Sequence, residues 1–378
     1  MLYLDHAATS PVRPEVLEAM RPYLTDVFGN PSSHHTVGEA AASALDDARR
    51  RVARVLGMRA GDVVFTSGGT EANNLAVKGI VLGALAGGKR HLVVSRIEHE
   101  SILESADFLH RFHGIEVSLL PVDGFGSISA SDVQSLLRDD TALVSVGHAN
   151  NEVGTVQDAA ALAAVTRAAG VPLHLDAVQS AGWLPLDALG ADAVSVAGHK
   201  LGAPKGTGAL AVRGRVPLEP LLHGGGQERG RRSGTENVAG AVALATALEL
   251  AEAERVDAVA RVGRSTARFI SAVLAAVPRA ALTGDPAHRL PGVASFTFAG
   301  TSGESVLLEL ERRGVISSSG SACAAGSDEP SPVLLACGIA PATAQTSVRF
   351  TFGRGVLPDD APEHLAQLVA ESVRAVLA

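Results

Sequence analysis

Short apolar runs rich in Val and Leu alternate with helical patterns up to about residue 215. Strands that alternate with helices form βαβ units, in which helices cover both faces of a mostly parallel sheet. We therefore predict an α/β fold for this part of the chain. The predicted strands are DVVFTS (62–67), HLVVSR (91–96), IEVSLLPV (115–122), TALVSVG (141–147), VPLHLD (171–176) and ADAVSVA (191–197).

The pattern changes after about residue 235. One long helical pattern occupies residues 237–262, and the β-type runs VASFTFAG and SVRFTFG follow it together with further helical patterns. This succession is typical of a smaller α+β unit. The sequence thus predicts a large domain at residues 15–257 and a small domain made of residues 1–14 and 258–378, with a helix crossing the boundary.

Composition narrows the class of protein. The 378 residues are 46% hydrophobic and 19% charged, which suits a buried core and disfavours disorder. A net charge of −8 without a basic stripe disfavours nucleic-acid binding. The chain has no apolar run of the roughly 18 residues that a membrane span needs, and its start lacks the pattern of a signal peptide. Two cysteines are too few for a disulfide framework or a four-cysteine zinc site, so we expect a cytoplasmic protein without a metal.

Two polar residues follow neighbouring predicted strands. Asp176 ends VPLHLD, and Lys200 follows ADAVSVA in the stretch GHKLGAPKGTG. Their spacing equals one βαβ interval, so both side chains are expected at the carboxyl edge of the sheet, where α/β folds bind ligands. A carboxylate and a lysine there suit pyridoxal phosphate, which bonds a lysine and needs an acid beside its pyridine nitrogen. The alternatives are a surface lysine and an aspartate that caps a helix.

Three more polar stretches follow predicted strands. In FTSGGTEANN (65–74), the backbone N–H groups and Thr70 form either a phosphate site or an ordinary capped helix start. The stretch matches neither a Walker loop nor G-x-G-x-x-G, which disfavours a dinucleotide enzyme. His99 in SRIEHES either stacks on a flat cofactor and exchanges protons or is a loop histidine. Asn151 in HANNEVG either donates to a cofactor oxygen or belongs to a polar turn.

With these motifs the sequence resembles the cysteine desulfurases, a group of class V aminotransferases with the type I fold of pyridoxal phosphate enzymes. Ten segments match in family order along nearly the whole chain, and together they make the resemblance specific. They are YLDHAATSPV, FGNPSSHH, FTSGGTEANNLAVKG, EHESIL, HANNEVGTVQD, LDAVQSAG, GHKLGAPKGTGAL, GGGQERGRRSGTEN, SSGSAC and SVRFTFGR.

The resemblance implies a role for each matching residue. Lys200 would bond the coenzyme covalently, Asp176 would pair with the ring nitrogen, and His99 would stack on the ring. The other coenzyme contacts would come from Gln179 and Asn151 on the oxygen side of the ring and from Gly69, Thr70 and His199 at the phosphate.

The resemblance also implies contacts beyond the coenzyme. Thr235 would reach the phosphate in a neighbouring subunit, so we expect a homodimer. Arg349 would bind the substrate carboxylate, a bidentate task suited to guanidinium, with Arg354 as the competing choice. Ala197 stands where the family usually has a serine that joins the phosphate, so one donor is lost.

Sulfur chemistry depends on Cys323, in the small and polar stretch VISSSGSACAAGSDEPS (315–331). By resemblance, its thiolate would take sulfur from L-cysteine as a persulfide, release L-alanine and pass the sulfur to an unidentified acceptor in iron–sulfur, thio-cofactor or tRNA pathways. Alone, Cys323 would be an incidental loop cysteine. Cys337, before Gly338 at a predicted helix end, is expected in the core.

Other activities on the same scaffold remain open from the sequence. They are a selenocysteine lyase, an aminotransferase, a kynureninase-like hydrolase and a non-catalytic interaction protein. The product formed from cysteine and the absorbance of bound coenzyme distinguish these alternatives.

Overall fold

The computed structural model describes residues 1–319 and 329–377. The strands in these residues are β1 (Leu2–Tyr3), β2 (Val63–Thr66), β3 (His91–Ser95), β4 (Glu116–Leu120), β5 (Thr141–Gly147), β6 (Leu173–Asp176), β7 (Ala193–Ala197), β8 (Gly208–Val212), β9 (Ala280–Leu282), β10 (Val293–Phe298), β11 (Val315–Ile316) and β12 (Ser347–Thr351).

The α-helices in the same residues are α1 (Pro14–Met20), α2 (Pro22–Thr25), α3 (Thr36–Val55), α4 (Gly69–Asn74), α5 (Ile80–Ala84), α6 (Glu100–His113), α7 (Ala130–Leu136), α8 (Ala159–Ala168), α9 (Val238–Ala253), α10 (Arg255–Ala276), α11 (Gly303–Arg312), α12 (Pro332–Ala336), α13 (Pro341–Ala344) and α14 (Ala361–Leu377). A π-helical turn, Leu75–Gly79, joins α4 to α5. Among these residues, no helix is both long and apolar enough to cross a bilayer.

A seven-stranded sheet forms the centre of the large unit, in the order β2-β8-β7-β6-β5-β3-β4. Strands β7, β6, β5, β3 and β4 run parallel, which confirms the predicted mostly parallel α/β fold. Strand β8 pairs antiparallel with both β7 and β2. The sequence analysis did not identify β8, whose residues GALAV follow a stretch rich in Gly and Pro.

Helices cover both faces of this sheet. On one face, Leu45 and Val52 of α3 and Leu244 of α9 belong to one buried cluster. On the other face, Ile102 and Leu109 of α6 belong to a second cluster. Successive residues of one strand alternate between the two clusters, as a pleated sheet requires. Each fully buried side chain of this size contributes about 1.5–3 kcal/mol to stability.

The second unit is built on the antiparallel sheet β12-β10-β9. Its core contains an aromatic cluster in which the Phe269 ring lies 5.1 Å from Phe350, 5.4 Å from Phe352 and 6.0 Å from Phe296. Strand β1 pairs with β11, so the first residues of the chain contact this unit. The domain boundaries stated above stay a prediction.

The long helical pattern at residues 237–262 forms two helices rather than one. Helix α9 ends at Ala253 and α10 begins at Arg255, with Glu254 between them. The Glu254 carboxylate accepts hydrogen bonds from both terminal nitrogens of Arg13, at 2.9 and 2.6 Å. Helix α9 is apolar all round and largely buried, whereas α10 buries one face. Because the two helices are separate, α9 can be buried on most of its surface while α10 buries only one face.

Candidate active site

Asp176 and Lys200 lie at the carboxyl ends of adjacent parallel strands. Asp176 ends β6, and Lys200 closes the single 3₁₀ turn that follows β7. Both line a cavity of about 330 Å³. The other predicted site residues that line this cavity are Gly69, Thr70, His99, Asn151, Gln179, His199 and Arg349. The structure thus brings together in one cavity residues that are far apart in sequence.

The Asp176 carboxylate is held by two donors. Its Oδ1 accepts a hydrogen bond from the Val178 backbone N–H at 2.9 Å, and its Oδ2 accepts one from Asn73 Nδ2 at 2.7 Å. Both donors fix the direction of the carboxylate. The sequence analysis missed Asn73, because a polar residue within a helical pattern gives no sign of the strand end that it faces.

The turn between β2 and α4 leaves little space at Gly69. A Cβ there would lie 2.8 Å from Val178 Cγ2 and 3.3 Å from Ala197 Cβ. Only glycine therefore lets the first turn of α4 approach the end of β7 this closely. Ala197 lines the cavity beside this turn and supplies no hydroxyl.

His199 is a neutral ring at the same edge. Its Nδ1 lies 3.2 Å from Thr9 Oγ1. Burial lowers the pKa of His199 to about 4, and the positive charges of Lys200 and Lys205 add to this effect. The ring therefore acts at neutral pH as a hydrogen-bonding group without charge.

His99 caps the N-terminus of α6. Its Nδ1 accepts a hydrogen bond from the Ser101 backbone N–H at 3.0 Å and lies 2.8 Å from Ser101 Oγ. Burial lowers the pKa of His99, although the Asp176 carboxylate opposes this shift. The His99 ring also lines the cavity, so this residue both caps α6 and contributes to the candidate site.

The polar turn expected around HANNEVG is made by Asn150 rather than Asn151. Asn150 Oδ1 accepts from the backbone N–H groups of Glu152 and Val153 at 2.8 and 2.9 Å. Asn151 lines the cavity instead. Gln179 is oriented by a hydrogen bond from its Nε2 to the Ala7 carbonyl at 3.2 Å.

The two candidate arginines lie in different surroundings. Arg349 is buried and lines the cavity; it donates to Asp5 Oδ1 and to the Asn151 carbonyl, each at 2.8 Å. Its Nε is buried with no hydrogen-bond partner among the described residues.

Arg354 is not among the described residues that line this cavity. It lines a neighbouring cavity of about 410 Å³ and donates to the backbone carbonyls of Ala251 and Gly182. Its guanidinium also lies 4.5 Å from the centre of the Trp183 ring. The geometry favours Arg349 for a ligand in the 330 Å³ cavity.

Two predicted residues lie outside this cavity, and a third cannot be placed. Thr235 is exposed and is not among the described residues that line the cavity of its own chain. Cys323 lies outside the described residues. Cys337 is buried, as expected, and burial raises the pKa of its thiol to about 11, which disfavours the reactive thiolate. Gly338 after it has a φ of 79°, as predicted for a helix-ending glycine.

The residues of the cavity fit pyridoxal phosphate. The Asp176 carboxylate, held by two donors, lines the cavity, and Lys200 lines it as well. A glycine with no room for a Cβ begins a helix at the phosphate position expected from the sequence. No cluster of three or more potential metal-ligating side chains occurs in residues 1–319 or 329–377.

A family model described as aminotransferase class-V matches residues 2–360. The chain therefore belongs to the class-V aminotransferase family. Class-V aminotransferases depend in general on pyridoxal phosphate.

Curated members of the family include close relatives. A protein named cysteine desulfurase IscS from Dictyoglomus turgidum is 42% identical over 361 residues, covering 95% of this chain and 91% of the relative. An IscS-like cysteine desulfurase from Mycobacterium tuberculosis is 44% identical over 388 residues, covering 100% of this chain and 98% of the relative.

Solved structures agree with these relatives. A NifS-like protein superimposes with a TM-score of 0.91 at 32% identity, with 99% of each chain covered. A structure titled SspA in complex with cysteine gives a TM-score of 0.81 at 35% identity, covering 94% of this chain and 100% of that one. The resemblance to the cysteine desulfurases is confirmed.

Proposed function

We propose that this chain is a pyridoxal phosphate-dependent cysteine desulfurase that converts L-cysteine to L-alanine and retains the sulfur on Cys323. The observation that carries the proposal is the arrangement of Lys200, Asp176 and Arg349 around one cavity. These three supply an amine, an acid and a carboxylate ligand. The names of the relatives support the same chemistry.

Most of the residues predicted to bind the coenzyme have a place in this proposal. Bound pyridoxal phosphate supplies an aldehyde that takes an amine and a ring that withdraws electrons from the substrate Cα. Lys200 would hold the aldehyde carbon, and Asp176 would pair with the ring nitrogen. Asn151 and Gln179 would contact the oxygen side of the ring. The start of α4 with Gly69 and Thr70, together with His199, would bind the phosphate.

Arg349 binds the carboxylate of the substrate. Two of its nitrogens already donate to Asp5 and to the Asn151 carbonyl, which fixes the guanidinium plane. Its buried Nε lacks a partner among the described residues, which is costly unless a ligand supplies one. The Lys200 amine would take the proton from the substrate Cα.

Cys323 takes the sulfur. Its thiolate attacks the Sγ of the substrate, a sulfur–sulfur bond forms, and the bond between Sγ and Cβ breaks. The electron pair of the broken bond stays on Cβ, which gains a proton and leaves as part of alanine. Cys323 is oxidised to the persulfide level while Cβ is reduced, so the step needs no external oxidant. The persulfide then passes to an acceptor in an iron–sulfur, thio-cofactor or tRNA pathway.

Assembly and setting complete the proposal. The exposed position of Thr235 suits a homodimer in which this residue reaches the coenzyme phosphate of the partner subunit. A reducing cytoplasm suits an enzyme that works through a thiolate and a persulfide.

Product analysis tests the proposed function. With pyridoxal phosphate and L-cysteine, we expect alanine and sulfane sulfur in equal amounts, without added keto acid. A requirement for keto acid would instead indicate an aminotransferase, and turnover of selenocysteine alone would indicate a lyase specific for selenium. If no coenzyme absorbance were seen after loading, the alternative of a non-catalytic interaction protein would be favoured.

A further inference from the structure

A chain of hydrogen bonds connects Asp176 to His99. Asn73 Nδ2 lies 2.7 Å from Asp176 Oδ2 and 3.0 Å from Ser101 Oγ. Ser101 Oγ in turn lies 2.8 Å from His99 Nδ1. Asn73 and Ser101 are both buried. Two residues without a role in the proposed function therefore join the acid and the imidazole of the site.

The backbone fixes which nitrogen of His99 carries the proton. The Ser101 N–H points at His99 Nδ1 at 3.0 Å, and a backbone N–H can only donate. His99 Nδ1 must therefore accept, so it carries no hydrogen. In a neutral imidazole the proton is then on Nε2.

The directions of the remaining bonds agree with this assignment. Asn73 must turn its NH₂ group toward the Asp176 carboxylate, because its carbonyl oxygen would repel a carboxylate at 2.7 Å. The second hydrogen of the same NH₂ group donates to Ser101 Oγ. The Ser101 hydroxyl thus receives one hydrogen bond and has its own hydrogen for His99 Nδ1, so two donors meet that nitrogen.

We propose that Asn73 and Ser101 are positioning residues that hold His99 as the neutral tautomer with its proton on Nε2 and fix its ring relative to Asp176. In the desulfurase cycle, an inference that rests on the proposed function, any proton that His99 exchanges then passes through Nε2 and not through Nδ1.

Burial disfavours a charged His99. It lowers the pKa of the ring, and the Lys200 ammonium adds to this effect, whereas the carboxylates of Asp176 and Glu100 oppose it. A second proton would have to sit on Nδ1, against the Ser101 N–H. It would also break the cap of α6.

Nitrogen-15 NMR of the imidazoles tests the tautomer directly in the coenzyme-loaded protein. A His99→Gln variant assigns the signal. We expect a protonated Nε2 and an unprotonated Nδ1 for His99 at neutral pH. A proton on Nδ1 at that pH would overturn the proposal.

The Ser101→Ala variant tests whether the two donors to His99 Nδ1 hold the neutral tautomer, because it removes one of them. Loss of one donor to Nδ1 is expected to raise the midpoint of the His99 titration and to move the acid limb of the pH–rate profile in the same direction. Ser105→Ala is the matched control, because the Ser105 hydroxyl bonds the Ser101 carbonyl on the same helix and does not contact His99. A midpoint and a profile in Ser101→Ala that coincide with those of Ser105→Ala would overturn the positioning role.

Asn73→Ala tests the other half of the chain. Asp176 loses a donor, so we expect a pyridoxal phosphate dissociation constant about tenfold higher, with Ser105→Ala unchanged. Native affinity in Asn73→Ala would refute the tie to Asp176. Failure to form alanine would contradict the proposed function alone, since the NMR and coenzyme-binding results do not depend on turnover.

Discussion

Replacing Asp176 by asparagine is the sharpest test of the coenzyme site. The change keeps the size of the side chain and removes its charge. The new amide oxygen can still accept from the Val178 N–H, as Asp176 Oδ1 does at 2.9 Å. Its NH₂ group then faces the NH₂ group of Asn73, which donates to Oδ2 at 2.7 Å in the native protein. We expect the fold to be kept. The charged acceptor opposite Asn73 is replaced by an NH₂ group, so two donors face and repel each other.

The size of the effect follows from these contacts. A hydrogen bond to a charged group contributes about 1.5–3 kcal/mol. The coenzyme ring nitrogen loses such a partner in the variant. We therefore expect turnover to fall by about ten- to a hundredfold or more, with weaker coenzyme binding, since about 1.4 kcal/mol corresponds to a factor of ten.

The assay combines equilibrium titration with pyridoxal phosphate, alanine formation and thermal unfolding. Asp192→Asn is the matched control, because Asp192 is a buried aspartate beside the opposite edge of the same sheet and bonds the Leu173 N–H at 3.0 Å. It is expected to change stability without changing coenzyme affinity. Native affinity and turnover in Asp176→Asn, or equal losses in both variants, would refute the reasoning.

Three further predictions concern the cavity and its surroundings. Arg349→Lys is expected to raise the KM for L-cysteine about tenfold, because bidentate binding is lost, whereas Arg354→Lys should lower Tm and leave KM unchanged; steady-state kinetics with the opposite outcome would assign the carboxylate to Arg354. Gly69→Ala places a methyl group 2.8 Å from Val178 Cγ2, so we expect coenzyme affinity to fall about tenfold, and native affinity in the titration would show that the turn has room. Burial raises the pKa of Glu98 from 4.5 to about 8, so the folded protein retains a proton that the unfolded chain releases. The free energy of unfolding should therefore fall as the pH rises between these values, and urea unfolding of Glu98→Gln should show a flatter dependence; equal slopes would contradict this.

The sequence predicted the parts of the site that follow from strand order. Asp176 closes one apolar run and Lys200 follows the next shortly after its end, and parallel strands bring their carboxyl ends to one edge. Strand β8 was missed because no helical pattern directly follows GALAV and because this segment lacks the alternating polar and apolar residues of an exposed strand. It runs antiparallel between β2 and β7, an arrangement that depends on the long-range pairing of the sheet.

Contacts between distant segments could not be predicted. Asn73 and Asp176 are 103 residues apart, and Asn73 and Ser101 are 28 apart. The local sequences TEANN and EHES do not indicate that the polar atoms of Asn73 and Ser101 meet at the cavity. The break between α9 and α10 at Glu254 could not be predicted either, because its partner Arg13 lies far away in the sequence.

The most direct test of the account is the mass of the Cys323 peptide after the loaded enzyme has reacted with L-cysteine. We predict the added mass of one sulfur atom on Cys323, removable by a thiol reductant, together with one equivalent of alanine. Cys323→Ser is expected to bind the coenzyme normally and to form neither product. Alanine formed at the native rate by Cys323→Ser, or sulfur found on Cys337 instead, would contradict the account.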